Sequence, residues 1–231
     1  MNKTIQLLLA LASTSLLAAD PSSSPSSVLN FGAKGDGKTD ETAAFQKALD
    51  TASQAGGGVV LAPRGNYFFA GHLNVPEAVT LKGFWESVPS HVGVRDNGAA
   101  LPTDNGTTLL VTENQGNQNG DAFITLRTDS TLKGVVIYYP DQDPAAEPKP
   151  YPWAIAMRGK NPAVLAVELL NPYNGIDATD NERHLIRDVQ GLLKGGGIVR
   201  FAVAFGPKIQ DGRWAGRRIG RQQGSAGQRQ Q

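Results

Sequence analysis

The chain has no cysteine, so nothing in its 231 residues can be cross-linked by a disulfide, and a zinc site of the thiolate kind is excluded. Aromatic residues make up 7% of it, and the three histidines, His72, His91 and His184, have no metal-ligand spacing. Beyond the first 19 residues no apolar run approaches the length needed to cross a bilayer, and no membrane association is expected. A second helical stripe is also missing, which argues against the alternating strands and helices of an open α/β sheet.

What is present begins with a leader. Met1 to Ala19 reads as a secretory signal: Lys3 is its positive start, Ile5 to Leu17 a mostly apolar core, and Leu17-Ala18-Ala19 a cleavage point with small residues. Residues 20–27 are rich in serine and proline and read as a linker. A secreted or periplasmic location follows as an expectation. About 212 residues then remain, enough for one domain, assigned to residues 28–193. The formal net charge of +1 hides an asymmetry: residues 194–231 hold eight Lys or Arg against Asp211 alone, a net of +7, leaving −6 for residues 1–193. That Gly/Arg/Gln-rich tail reads as disordered, with Ile198 to Phe205 its one run of strand rhythm.

The most patterned stretch runs from Asn30 to Tyr67, N-F-G-A-K-G-D-G-K-T-D-E-T-A-A-F-Q-K-A-L-D followed by A-G-G-G-V-V-L-A-P-R-G-N-Y. Ala44, Phe45, Ala48, Leu49 and Ala52 recur at three- and four-residue spacing and form the apolar stripe of one helix, capped by Thr39 or Asp40 and stopped by Gly56 to Gly58. Gly32 to Thr39 also satisfies G-x-x-x-x-G-K-[ST], the loop that cradles nucleotide phosphates. Asp36 would place a carboxylate inside that cradle, Ser26 to Phe31 is too polar for a buried parallel strand, and Val59-Val60-Leu61 ends without an aspartate for magnesium. A nucleotide partner is therefore not expected.

From Val59 onward short apolar runs alternate with Gly, Pro, Asn and Asp: Val59 to Leu61, Tyr67 to Ala70, Val79 to Leu81, Thr108 to Val111, Ala122 to Leu126, Thr131 to Tyr138, Trp153 to Met157, Val164 to Leu169 and His184 to Val189. Val79-Thr-Leu-Lys-Gly83 is echoed by Ser130-Thr-Leu-Lys-Gly134, and the later runs recur at intervals that fit one turn of a solenoid, whereas a sandwich should show closely spaced hairpin turns. The reading is an all-β right-handed parallel β-helix whose first helix covers the exposed edge. Two polar insertions, Trp85 to Gly106 and Pro140 to Pro152, project from it where binding commonly sits.

On the residues Asn30 to Tyr67 quoted above, the chain resembles the opening of the pectate-lyase-like right-handed parallel β-helix superfamily, and more narrowly its rhamnogalacturonase/epimerase-like pectate lyase domain. The likeness is specific over residues 28–83, fainter to Gly191, and absent beyond, so the chain reads as the N-terminal portion of such a protein. It implies that Gly35-Asp-Gly-Lys-Thr-Asp40 is the turn before the capping helix. It also implies a monomeric, secreted protein that degrades polysaccharide as a glycoside hydrolase or lyase on pectin-like or glucan polymers, with no cofactor, or with calcium in the lyase case. The catalytic motifs of polygalacturonase-like members, Asn-Thr-Asp, Asp-Asp and Gly-His-Gly, are missing, which leaves a non-catalytic carbohydrate-binding or adhesin-like β-helix, or an inactive fragment, as the alternative.

Glycoside cleavage needs two carboxylates about 5–10 Å apart, and elimination needs a base beside a bound uronate. The candidates on turns beside the strand runs are Asp141 and Asp143, then Asp177, Asp180 and Glu182, with His184 and Arg187 close to the second group. Stacking of successive turns would bring the two groups to one face. Trp85, Tyr138, Tyr139, Tyr151, Trp153 and Tyr173 are the aromatics placed to stack on sugar rings.

Overall fold

The computed structural model describes residues 25–97, 101, 105–143 and 146–192 and the backbone of 201–203; the leader, most of the linker and most of the basic tail lie outside these residues. Every strand pairing is parallel, and the chain winds as a right-handed parallel β-helix. Each coil contributes three short strands. The first coil is β3 (Gly58–Leu61), β4 (Gly65–Phe69) and β5 (Leu73–Val75), and the second is β6 (Val79–Lys82), β7 (Thr107–Val111) and β8 (Ile124–Leu126). The third is β9 (Thr131–Lys133), β10 (Val136–Tyr138) and β11 (Trp153–Gly159). In the fourth, β12 (Ala163–Leu170) runs through the corner and pairs with both β9 and β10 before β13 (Asn174–Asn181). β14 (Leu185–Leu192) stacks on β12, and β15 (Phe201–Val203) on β13. The bend inside β12 falls at Ala166, which holds a left-handed φ of 52°, and Asp188 repeats it at 54° in β14.

The stacking explains the sequence echo. Thr80, Leu81 and Lys82 pair with Thr131, Leu132 and Lys133, so the two Thr-Leu-Lys segments lie directly one above the other. The glycine that ends each is required by the close approach of the coils: a Cβ on Gly83 would lie 2.3 Å from the carbonyl oxygen of Gly134. Inward-facing residues form ladders through the coils. Val60, Leu81, Leu132 and Val164 stack in one, Tyr67, Leu109, Ile137 and Leu169 in a second, and Leu73, Ile124, Ile155 and Ile176 in a third, all fully buried. Each strand is too short to be stable alone, so the fold rests on apolar contact between coils.

The amino-terminal end is closed by β1 (Ser26–Ser27), a 3-10 turn, β2 (Asp36–Asp40) and α1 (Thr42–Gln54). Phe45, Ala48, Leu49 and Ala52 of α1 are buried and Ala44 packs partly against them, as the stripe requires. Phe45 meets Tyr67 and Phe69 edge-on at 5.0 Å. Gly56, Gly57 and Gly58 all take positive φ and end the helix. Neither Thr39 nor Asp40 holds the cap position, which is Glu41 and makes no side-chain cap bond; Asp40, one residue earlier, accepts at Oδ1 from the Thr42 amide at 3.1 Å and from the Ala70 amide of the first coil at 3.2 Å. Asp36 to Asp40 is moreover a strand paired with β4, not a turn. Its pairing edge outweighs the turn propensity of Gly-Asp-Gly.

Four further differences concern elements outside the apolar runs read as strands. β2 and β5 were not foreseen, being polar and three residues long respectively. β13 contains Asn-Gly and two aspartates, yet pairs with β11 throughout. The first insertion holds a short helix, α2 (Val92–Asn97). Within the segment expected to be disordered, Phe201–Val203 forms β15.

Candidate functional site

The phosphate-loop motif is filled from within. Glu41, almost fully buried, accepts from the amides of Lys34 and Gly35 at 2.9 and 3.1 Å, and Asp36 accepts from those of Lys38 and Thr39 at 2.9 and 2.8 Å. Four amides that a phosphate would need are held by the chain's own carboxylates, and this stretch is a structural cap. Those bonds, with the Thr39 hydroxyl, pull the Asp36 carboxyl down to about 2.

The candidate site is the outward face of the five-stranded sheet, whose strand order is β15-β13-β11-β8-β5. Side chains alternate across a strand, so the residue after each rung of the third ladder points out. Asn74, Thr125, Ala156 and Asp177 therefore form one outward row through four coils. Two residues further along, Arg127 and Arg158 follow the inward Leu126 and Met157. The register then shifts between Ala156 and Arg158, so β13 carries an extra residue there and Arg158 reaches back to Asp177. Its Nη2 donates to Asp177 Oδ2 at 2.6 Å, while Asp177 Oδ1 accepts from the Thr179 amide at 3.0 Å and hydroxyl at 2.6 Å. Asp177 is only 8% exposed, whereas the Arg158 side chain keeps 28% of its surface in solvent. Arg127 donates to Asn74 Oδ1 at 2.5 Å.

The sheet is walled on one edge by the loops that enter it. Residues 112–123 lead into β8 and residues 139–152 into β11, and the two are tied by the Gly116 amide to the Pro150 carbonyl at 2.7 Å. Gln142 pins the second loop on itself, exchanging two 2.9 Å hydrogen bonds with the Lys149 backbone. Tyr139 and Tyr151 pack edge-on at 4.9 Å beneath it, both fully buried. Burial, then the nearby Asp141 charge, pushes the Tyr151 phenol up. The opposite edge is made by the turns that leave the sheet. There His184 Nδ1 contacts Asn181 Oδ1 at 2.8 Å, burial lowers the His184 pKa, and the exposed Glu182 faces Lys160 at 3.5 Å.

The acidic candidates therefore divide. Asp141 and Asp143 sit in the loop at the entry edge, Asp180 at the exit end of β13 and Glu182 in the turn beyond it, so the two groups flank the sheet on opposite edges rather than stacking. Asp177 alone lies inside the outward row, in a strand rather than a turn. Arg187 stands outside the group, exposed beside Asp188 at 3.4 Å. Arg127 and Arg158 were missed, and only their spacing from the apolar rungs could have flagged them. Of the six aromatics, Tyr139 and Tyr151 are buried under the loop. Trp85 and Tyr138 pack partly against Val94, Val136 and Leu170, while Trp153 and Tyr173 keep a solvent face. Among the described residues no three His, Asp or Glu side chains gather around one point.

A model of the family described as rhamnogalacturonase A/epimerase, pectate lyase-like, matches residues 26–158. Among curated proteins, alginate lyase 7 of Azotobacter vinelandii is 59% identical over 44 residues, covering 19% of this chain and 5% of that protein. Mannuronan C5-epimerase AlgE3 of the same organism is 54% identical over 44 residues, 19% of this chain and 2% of that one. The chain thus matches only a small part of the length of these relatives. Among solved structures, the A-module of the mannuronan C-5 epimerase AlgE6 from Azotobacter vinelandii aligns over 72% of this chain and 44% of its own, at 21% identity and a TM-score of 0.46. With more than half of its residues matched by that family model, the chain belongs to the rhamnogalacturonase A/epimerase, pectate lyase-like family.

Proposed function

We propose that the protein binds an acidic polysaccharide along the outward face of the five-stranded sheet and degrades it there, with Asp177 and Arg158 at the centre of the site. The observation that carries this reading is the Arg158–Asp177 pair, in which a sequestered carboxylate of the outward row is met by one of two guanidinium groups that lie beside that row on successive coils. Arg158 and Arg127 follow neighbouring rungs, about 4.8 Å apart in the stacking direction. Guanidinium groups at that spacing suit a polymer bearing one carboxylate per sugar, because each can form a charge-assisted, forked contact. The relatives named above include an alginate lyase, so alginate is the first polymer to offer and pectate the second.

Elimination is the chemistry this arrangement favours over hydrolysis. A cation beside a uronate carboxylate stabilises the charge that builds up as the neighbouring C–H proton is removed. Hydrolysis needs a protonated acid facing a second carboxylate, and Asp177 is held instead by Arg158 and Thr179. Calcium, which an elimination reaction can use, finds no ready cluster among the described residues; its requirement is tested by chelation. The leader at Met1 to Ala19 supports a secreted or periplasmic location, and we take the protein to act as a monomer.

The second reading is binding without turnover, favoured by the engagement of both Asp177 oxygens. The experiment offers alginate and pectate to the wild type and to Arg158→Gln. Unsaturated uronate absorbance marks elimination, reducing ends without it mark hydrolysis, and polymer retention with neither marks binding alone. Arg158→Gln is expected to weaken retention about tenfold, the loss of one charge-assisted contact. Unchanged retention and turnover in that variant would remove the site from this face.

A further inference from the structure

A ligand-sized opening lies away from the five-stranded sheet, on the outer side of the coils where β3 and β6 end. It is an open cleft of about 550 Å³, lined mostly by carbon, with Leu61, Ala62 and Pro63 on one wall and Phe84 and Trp85 on the other. Its shape follows from the stacking. The chain turns outward after Gly83, and the Trp85 amide donates to the Gly134 carbonyl at 3.1 Å, so the first insertion leaves the barrel of coils with the Phe84 ring at the surface and Trp85 half-buried beside it. Phe84 is 44% exposed, unusual for a ring on a well-packed solenoid.

The charge around the cleft is lopsided. Arg64 lies over the Phe84 ring, 3.8 Å from its centroid, and makes no hydrogen bond or ion pair among the described residues. Lys82 and Lys133 stand below, one coil apart, and share Glu86 at 2.7 and 2.6 Å. Two of these cations meet one carboxylate, Arg64 meets none among the described residues, and the two lysines hold the Glu86 carboxyl down at about 2. The side of the Phe84 ring that Arg64 leaves uncovered offers the C–H face of a pyranose a flat apolar partner, and the Arg64 fork suits a carboxylate on that pyranose, with the lysine pair leaving a net positive charge nearby.

We infer that the Phe84–Arg64 cleft is an accessory binding site for a uronate unit of an acidic polysaccharide. The inference rests on the proposed function, in that it takes the polymer to be acidic, but it places a second contact on a different face of the coils. A polymer held at both faces gains effective concentration at the first without any new contact there. The geometry distinguishes this cleft from the sheet site by its chemistry: an exposed ring with a stacked arginine, against a recessed carboxylate bound to a partly buried one.

Calorimetric titration with trigalacturonate tests it, using the wild type, Phe84→Ala, Arg64→Gln and Arg158→Gln, with cellotriose as the neutral probe. Phe84 and Arg64 are both at the surface, so neither variant should disturb folding, and each checks the other. The expected result is two sites in the wild type, with the stoichiometry falling to one, or the weaker affinity dropping at least fivefold, in Phe84→Ala and Arg64→Gln, while Arg158→Gln keeps the cleft site. Stoichiometry and affinity unchanged in both cleft variants would overturn the inference, and if Arg158→Gln then lost all binding the sheet reading would stand alone. A single site lost in Phe84→Ala and kept in Arg158→Gln would support the cleft and remove the sheet site. Equal binding of cellotriose would overturn the assignment to a uronate.

Discussion

The amino-terminal cap and the outward face of the five-stranded sheet use the same chemistry to opposite ends. In the cap, Asp36, Asp40 and Glu41 all accept from backbone amides, those of their own segment and, for Asp40, that of Ala70 in the first coil, so their charge is committed to holding the chain in shape. On the sheet, Asp177 is held by a side chain from the neighbouring coil, and that side chain keeps a solvent face. A carboxylate answered by amides fixes a fold; one answered by a partly exposed guanidinium leaves a cation available to a ligand. The glycine-rich loop resembles a binding motif and is a cap, while a strand with little apolar signal carries the candidate carboxylate, Asp177.

The largest effect is expected where the cap meets the core. Phe45 is fully buried against Tyr67 and Phe69, so Phe45→Ala should cost about 3–5 kcal/mol, through lost burial and the cavity left behind. Because the helix closes the open end of the stack, the loss should spread into the first coil. Chemical denaturation with paired amide-exchange measurements checks this. Protection lost at Val60 and Tyr67 but kept at Ile155 and Ile176 would sharpen the contrast between the two ends, and a uniform loss would break it.

Next comes Glu41 set against Asp177. Glu41→Ala leaves the Lys34 and Gly35 amides without their acceptor in an almost fully buried position, for about 3 kcal/mol. Asp177→Asn keeps the size and the Thr179 contacts and loses a partly solvent-screened ion pair, so about 1 kcal/mol is expected. On polymer binding the order should reverse, with Glu41→Ala neutral and Asp177→Asn altered. Equal stability costs, or a binding loss in Glu41→Ala, would show that the two carboxylates do the same job.

The cap was legible because its signals are local. The stripe of Phe45, Ala48, Leu49 and Ala52 and the glycine stop stand within one short stretch, and the repeated Thr-Leu-Lys-Gly pointed to a solenoid in whose structure those two segments stack, β6 on β9. Even there, short-range reading set Asp36 to Asp40 down as a turn, since its strand character comes from pairing with β4 far along the chain. The site was legible only as a list of acids. Which of Asp141, Asp143, Asp177, Asp180 and Glu182 faces outward depends on the register between coils, and the shift at Arg158 that joins it to Asp177 depends on an irregularity that no pattern of residues announces. A tie from the first insertion is similar: the His91 amide donates to Glu168 Oε1 at 2.8 Å across 77 residues, and nothing in the sequence pairs the two residues.

The smallest expected effect is at high pH, and it separates the two regions by titration. Burial, and then the charge of Glu41, raises the Tyr67 phenol from its ordinary 10 to about 12. A phenol whose folded pKa is raised favours the folded state fully below its unfolded value, so this contribution is intact below pH 10 and is lost as pH climbs toward 12. Tyr67 sits under α1 and donates to the Pro63 carbonyl at 3.1 Å, so the cap should be the part that loosens. Phenolate absorbance followed alongside amide exchange checks it. Exchange at Phe45 and Tyr67 should accelerate between pH 10 and 12 in step with the delayed ionisation, and Tyr67→Phe should abolish that step while leaving the loop tyrosines to titrate as before. If the loop over Tyr139 and Tyr151 opens first, alkaline stability belongs to the wall of the site and the cap is the more robust of the two.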